Sequence, residues 1–346
     1  RHLTVPLLAV TATNGKTTIT QMAVAMLQAS GRRAAAVGNI GVPLTDAVGG
    51  DYEVLVVEAS SFQLRFTETF HPRAAVLLNV APDHLDWHGD FDSYLEAKAR
   101  IHRNQGPEDL LVFDADDPGA RRAVAGARSR LLPVSGSRRP PGGGGPSGGV
   151  LWLGETAVDL PAAALSDPIF AVDAAAAGGA ALSVGATALG ISTALRSFVP
   201  PHHRREVVGT WDGVTWVDDS KATNPHAAVA AIRSCRPVVL IAGGRNKGLD
   251  VAAISREPGM RHPENRSTAP LKISTPPSQK ISMARRSSSA AVGSHAMPQL
   301  IPTSRAASAL NGSARRPSWP RARAGGAPGA QPARRASSAN NTPAAV

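Results

Sequence analysis

Apolar residues in the first 250 positions fall into short runs separated by stretches of helical spacing. Val5 to Val10 reads as a strand, followed by a polar loop. A helix then carries Ile19, Met22, Ala23, Met26 and Leu27 on one face. Val54–Val57 and Ala74–Val80 are nearly all apolar, as strands covered on both faces are. A helix is expected between Asp92 and Asn104, opened by a Ser93-x-x-Glu96 capping box. Leu110–Phe113 and Leu131–Val134 read as further strands, with a helix opening near Pro118 between them. This alternation predicts an α/β fold built on an open sheet. The Gly- and Pro-rich stretch 136–149 reads as a surface loop before a strand at Val150–Leu153, and an Ala-rich helix is expected at about 172–183.

A second pattern begins near 200. Glu206–Trp211 and Val214–Val217 read as strands joined by Asp212-Gly213, a hairpin dipeptide. Pro225 opens a helix at a favoured first position, and Val238–Ala242 is another strand. After about 251 the periodicity stops. Ser, Pro, Ala, Arg and Gly dominate, Trp319 is the one aromatic residue, and disorder is expected. The expected domains are therefore 1–199, 200–250 and a low-complexity basic tail at 251–346. A shifted reading frame in a GC-rich gene would give such a tail, as would a natural disordered one; the first is preferred.

Charge changes the picture only once it is divided. The net charge is +11, but the tail holds 14 Lys+Arg against 2 Asp+Glu. The remaining 23 basic and 24 acidic residues leave the body nearly neutral, with no footprint for a specific nucleic-acid partner. The single cysteine, Cys235, fits a reducing cytoplasm, and no apolar run reaches the length of a membrane span.

The candidate chemistry begins at Thr11-Ala-Thr-Asn-Gly-Lys-Thr-Thr18, set between strand and helix. The backbone amides of Thr13, Asn14, Gly15, Lys16, Thr17 and Thr18, with the helix N-terminus, would make a phosphate site. Lys16 would meet the β- and γ-phosphates of ATP, and the Thr17 hydroxyl would reach Mg²⁺. Glu58 follows a buried strand at the sheet's carboxyl edge, where a carboxylate suits Mg²⁺ and could equally cap a helix. His84 lies between Asp83 and Asp86 and is either a metal ligand or structural. Lys98, mid-helix, reads by itself as a solvated lysine.

The order T-N-G-K-T-T, G-N-I-G (38–41), E-A-S-S-F-Q-L (58–64), L-N-V-x-x-D-H-L-D (78–86) and E-A-K-A-R-I (96–101) resembles the central domain of the Mur ligases. E-x-S-S-F-Q-L and D-D-S-K-A-T-N (218–224) are most similar to the D-glutamate-adding branch, and the likeness covers about residues 5–250. It implies an ATP- and Mg²⁺-dependent ligase, acting through an acyl phosphate on UDP-N-acetylmuramoyl-L-alanine and D-glutamate. Lys16, Glu58, His84, Lys98 and Arg204 would be catalytic, with Thr17, Glu58, His84 and Lys98 around the metal and Lys98 carbamylated. Arg204 and Asp219 would touch the nucleotide, and Asn39, Ser60, Lys221 and Lys247 the substrates. A cytoplasmic monomer is expected, poorly active because flanking domains are expected to be missing. Another Mur or folylpolyglutamate-type ligase, or a degenerate non-enzymatic fragment, stays open as an alternative. Two departures stand out. Ala12 replaces the family's usual Gly, a strain of roughly 1–2 kcal/mol if the position needs positive φ. Phe170-Ala-Val-Asp173 stands where a His-Asn-x-x-Asn cluster is common.

Overall fold

The structure, a computed structural model, describes residues 5–235, 237–244 and 249–258 and the backbone of 282–286. Six strands form a parallel sheet: β1 (Leu7–Thr11), β2 (Ala34–Gly38), β3 (Val54–Glu58), β4 (Ala74–Leu77), β5 (Leu110–Asp114) and β6 (Arg130–Val134). Their order is β2-β3-β1-β4-β5-β6. β1 is therefore central, with β3 and β4 on either side. The crevice beyond its carboxyl end is a topological switch point, where α/β folds bind ligands.

The near-continuous apolar strands follow from burial on both faces. Leu8, Val10, Val56, Val76 and Val112 point to one core, which they share with helices α1 (Lys16–Ala29), α7 (Pro168–Ser183) and α8 (Ala188–Ser197). Ala9, Leu55, Val57, Ala75, Leu77 and Leu111 point to the other. That side is covered by α2 (Ser61–Arg65), α3 (Leu85–His88), α4 (Phe91–Ala99) and α5 (Pro118–Ala123). A single turn, α6 (Ala162–Leu165), precedes α7. Small residues let α7 lie close to the sheet: a Cβ on Gly179 would stand 2.4 Å from Leu132 Cδ2.

Two local expectations are corrected. The N-cap of α4 is Asp90, whose side chain accepts from Ser93 N at 2.7 Å; Ser93 lies inside the helix. A capping box does exist, at Ser60–Gln63 of α2. The expected loop 136–149 contains a strand, β7 (Gly145–Ser147), which joins β8 (Val150–Leu153) and β9 (Thr156–Val158) in a small antiparallel sheet. Gly148 and Gly149, at φ 61° and 79°, supply the left-handed pair its tight turn requires.

Beyond residue 200 the pairing turns antiparallel. β10 (Glu206–Trp211) and β11 (Val214–Asp218) form the expected hairpin, with Asp212 and Gly213 at φ 49° and 72°. Helix α9 (Pro225–Ser234) and β12 (Val238–Ile241) follow, and Val217, Ala231, Ile232 and Val238 make a small core. Within the segment read as a disordered tail, the described residues include one helical turn, α10 (Ala252–Ser255), and one strand, β13 (Ser282–Arg286). β13 pairs with both β11 and β12. The rest of that tail lies outside the described residues. All described residues belong to one compact unit, and a division near residue 199 stays a proposal resting on the change of sheet. No helix among them is long and apolar enough to cross a membrane.

Candidate active site

The loop from Thr11 to Lys16 joins the end of β1 to the start of α1. Gly15 is the N-cap, at φ 93°, and no side chain caps the helix, so its first amides face outward for an anion. Ala12 is not among the residues with positive φ; the conformational demand falls on Gly15, and no strain attaches to the alanine. Thr13 is structural in its side chain: Oγ1 lies 3.2 Å from Ala81 O and 3.1 Å from Tyr94 Oη, and it accepts from Ala81 N at 3.0 Å. Thr17 sits in the first turn of α1, and Thr18 lines the adjoining pocket.

Two lysines converge on one carbonyl. Lys16 Nζ donates to Ala12 O at 2.8 Å and to Thr13 O at 3.2 Å. Lys98 Nζ donates to the same Ala12 O at 2.8 Å and lies 4.7 Å from the Tyr94 ring centroid. Lys98 is only 1% exposed, which overturns its reading as a solvated lysine. The reason is helical spacing: Tyr94 and Lys98, four apart on α4, share the face turned to the loop. Burial, and then the neighbouring charge of Lys16, hold the Lys98 amine well below its usual range, and burial also lowers Lys16.

Glu58 ends β3 beside this loop and is 2% exposed. Its Oε1 accepts from Asn39 Nδ2 at 2.8 Å, while Oε2 is buried with no partner. A lone buried carboxylate oxygen suits a divalent cation, so the donor set passes this test for Mg²⁺. His84 caps α3 in a left-handed conformation, φ 54°, and its ring meets Phe62 at 5.0 Å between centroids. Ser60 uses its hydroxyl in the capping box of α2. Among the described residues, one group of three His, Cys, Asp or Glu side chains brings its ligand atoms within 4.8 Å: His203, Glu206 and Asp218. Glu58 and His84 are not part of it. Its members are already tied together, His203 Nδ1 to Asp218 Oδ2 at 2.7 Å and His203 N to Glu206 Oε2 at 2.9 Å.

A cavity of about 560 Å³ is lined by Asn14, Gly15 and Thr18 together with Arg204, Asp219, Lys221 and His226, and His226 Nδ1 lies 3.1 Å from Asn14 Nδ2. Arg204 and Lys221 both line it, and Lys221 is exposed. Asp219 is buried, accepts from Arg205 N at 3.2 Å, and is pushed up to about 6 by burial. Lys247 lies outside the described residues. Residues not anticipated also line the cavity. Arg205 Nη1 donates to both carboxylate oxygens of Asp167, at 2.9 and 2.8 Å. Asp167 caps α7 just before Pro168, a signal visible in the sequence. Asp114, at the end of β5, is raised to about 7, and Asp173 to about 8, both mainly by burial. Asp173 Oδ1 lies 3.1 Å from where a Cβ on Gly15 would stand.

A loop of this kind at the switch point of a parallel sheet, with buried Glu58 and Lys98 and half-buried Lys16 around it, is the arrangement of a nucleotide-dependent α/β enzyme core. The model of the Mur ligase middle domain matches residues 10–137, and the chain belongs to the Mur ligase family. Its similarity is to UDP-N-acetylmuramoylalanine--D-glutamate ligases. The protein of that name from Frankia casuarinae is 47% identical over 250 residues, 70% of this chain and 53% of that protein. That from Mycolicibacterium smegmatis is 42% identical over 264 residues, 72% and 51% of the two. The chain thus spans about half the length of the curated relatives it matches. Among solved structures, MurF from Acinetobacter baumannii superposes with a TM-score of 0.51 at 19% identity, covering 67% of this chain and 55% of that one. MurF from Thermotoga maritima in complex with ADP gives 0.51 at 22%, covering 66% and 56%. These two share the fold.

Proposed function

We propose that the chain forms the ATP-binding core of a cytoplasmic ligase that joins D-glutamate to UDP-N-acetylmuramoyl-L-alanine, a step in making peptidoglycan precursors. The observation that carries this reading is the uncapped, glycine-led start of α1, with Lys16 at its first position and the unpartnered Oε2 of Glu58 also at the carboxyl edge of the sheet. Proteins similar to it in sequence carry that ligase's name.

In this reading the amides of the loop and of the first turn of α1 grip the β- and γ-phosphates, and Lys16 swings from the carbonyls of Ala12 and Thr13 onto them. Arg204 faces the same phosphates from the cavity wall. The acceptor's carboxylate oxygen forms a bond to the γ-phosphorus as the bond to ADP breaks, giving an acyl phosphate. The free amine of D-glutamate then adds to the acyl carbon, phosphate leaves, and the amine's proton passes to solvent. The chain supplies positioning and charge neutralisation, which suffice for phosphoryl transfer. Thr17, Glu58 and His84 would hold Mg²⁺, which when bound offsets charge on the phosphate oxygens. The unmodified amine of Lys98 is a poor ligand for Mg²⁺, which prefers oxygen donors. Because burial favours its neutral form, it is suited to add CO₂ and become an anionic carbamate, as the family resemblance implies.

Isothermal titration of Mg·ATP into the chain and into Lys16→Ala tests the core of this proposal. Binding to the parent chain is expected, with a loss of about tenfold or more in the variant. Equal binding by both would place the nucleotide elsewhere and sink the reading.

A further inference from the structure

Asn14 and Asn224 stand 210 positions apart in sequence and hold each other by both ends of their amides. Asn14 Nδ2 donates to Asn224 Oδ1 at 3.2 Å, and Asn224 Nδ2 donates to Asn14 Oδ1 at 2.9 Å. The orientation of Asn224 is fixed by two further groups. Its Oδ1 also accepts from Ala227 N at 2.9 Å, capping α9, and its Nδ2 also donates to Asp83 Oδ2 at 3.2 Å. A backbone N–H can only donate and a carboxylate can only accept, so the amide fits one way round. Both hydrogens and both lone pairs of Asn224 are used, and the residue is 5% exposed.

The other partners extend the arrangement into the site. The backbone of Asn14 is held by Asn79: Asn14 N donates to Asn79 Oδ1 at 2.9 Å, and Asn79 Nδ2 donates to Asn14 O at 3.0 Å. Asn14 is thus fixed by its main chain to the end of the sheet and by its side chain to α9. The next residue is Gly15, where the loop turns left-handed into the phosphate-binding helix. Asp83, the fourth member, accepts from His84 N at 3.0 Å and so shapes the turn that carries the candidate metal ligand.

We propose that Asn224 is a positioning residue: from the start of α9 it sets the phosphate loop through Asn14 and the His84 turn through Asp83. Helix α9 and the nucleotide are thereby coupled, because the loop that binds phosphate is the loop that α9 holds. The effect on nucleotide rests on the ligase reading above; the effect on the loop does not.

Asn224→Asp separates this role from simple helix capping. Aspartate is as good an N-cap as asparagine, so α9 keeps its bond from Ala227 N. It cannot donate, however, and would set a carboxylate against Asn14 Oδ1 and Asp83. Hydrogen exchange of the unliganded chain is the first readout: the amides of 13–18 are expected to exchange about tenfold faster in Asn224→Asp, with those of α9 unchanged. Mg·ATP titration is the second: Asn224→Asp and Asn14→Ala each weaken binding about tenfold, and Asn14→Ala/Asn224→Asp is little worse than either single variant. Unchanged exchange in the loop overturns the proposal, as do single-variant losses that multiply in the double variant. Faster exchange in a chain that binds no Mg·ATP at all would keep the positioning role and discard the nucleotide.

Discussion

Asp173 is a carboxyl group enclosed by protein on the wall of the cavity, 5% exposed and raised to about 8 by burial, against the opposing pull of Arg204 and Arg205. Unfolded, it would titrate near 4. Between these two values the folded chain holds a proton that the unfolded chain has lost, so this residue makes stability fall as pH rises through that window. Asparagine keeps the shape and cannot ionise. Asp173→Asn is therefore expected to raise the melting temperature at pH 8 clearly more than at pH 5; equal gains at both would show the carboxyl already ionised. The signal was half-visible in the sequence. The departure at Phe170-Ala-Val-Asp173 could be seen, but burial, which gives the acid its character, depends on how α7 lies against the loop. Lys98 teaches the same lesson from the opposite direction. A lysine in mid-helix reads as solvated until Tyr94, Lys16 and the Ala12 carbonyl are brought to it through space.

At the scale of elements, strands buried on both faces and the loop between β1 and α1 were legible because their signals are local: apolar runs, a glycine, a hairpin dipeptide. β2 (AAAVG) was missed, since three alanines carry little strand preference; its place at the edge beside β3 is set by pairing. The cap of α4 was misplaced because Asp90 and Ser93 are both good caps and only the start of the helix decides between them. Close approach is likewise invisible in one dimension. A Cβ at Gly119, in the first turn of α5, would stand 1.9 Å from the carbonyl oxygen of Val80, a backbone atom that cannot swing away. Gly119→Ala is therefore expected to destabilise the chain by about 2 kcal/mol or more despite alanine's better helix propensity. Urea unfolding would measure it, and a neutral or stabilising result would mean α5 can shift away from Val80.

For the molecule as a whole, the decisive geometry is that one cavity is lined both by residues before 200, Gly15 and Asp173 among them, and by residues after it, such as Asp219 and Ala227. A ligand there ties both parts to the folded state. Mg·ATP at a hundred times its dissociation constant should add about 2.7 kcal/mol of stability. Variants that keep only Trp152, in the small sheet of β7–β9, or only Trp216, in β11, among the five tryptophans let fluorescence follow each part, and both melts are expected to move up together. A shift confined to one would assign the cavity to that part alone. The most chemically plain stretch of the chain, Ala174 to Ala181 in α7, bears on its future as much as the site does. Eight consecutive residues there are fully enclosed and none is larger than alanine. Evolution can alter the charges around the cavity one at a time and keep a folded protein, but it has almost no such freedom along this helix. Chains that share this fold are therefore expected to keep small residues along this run even where the cavity's charges differ.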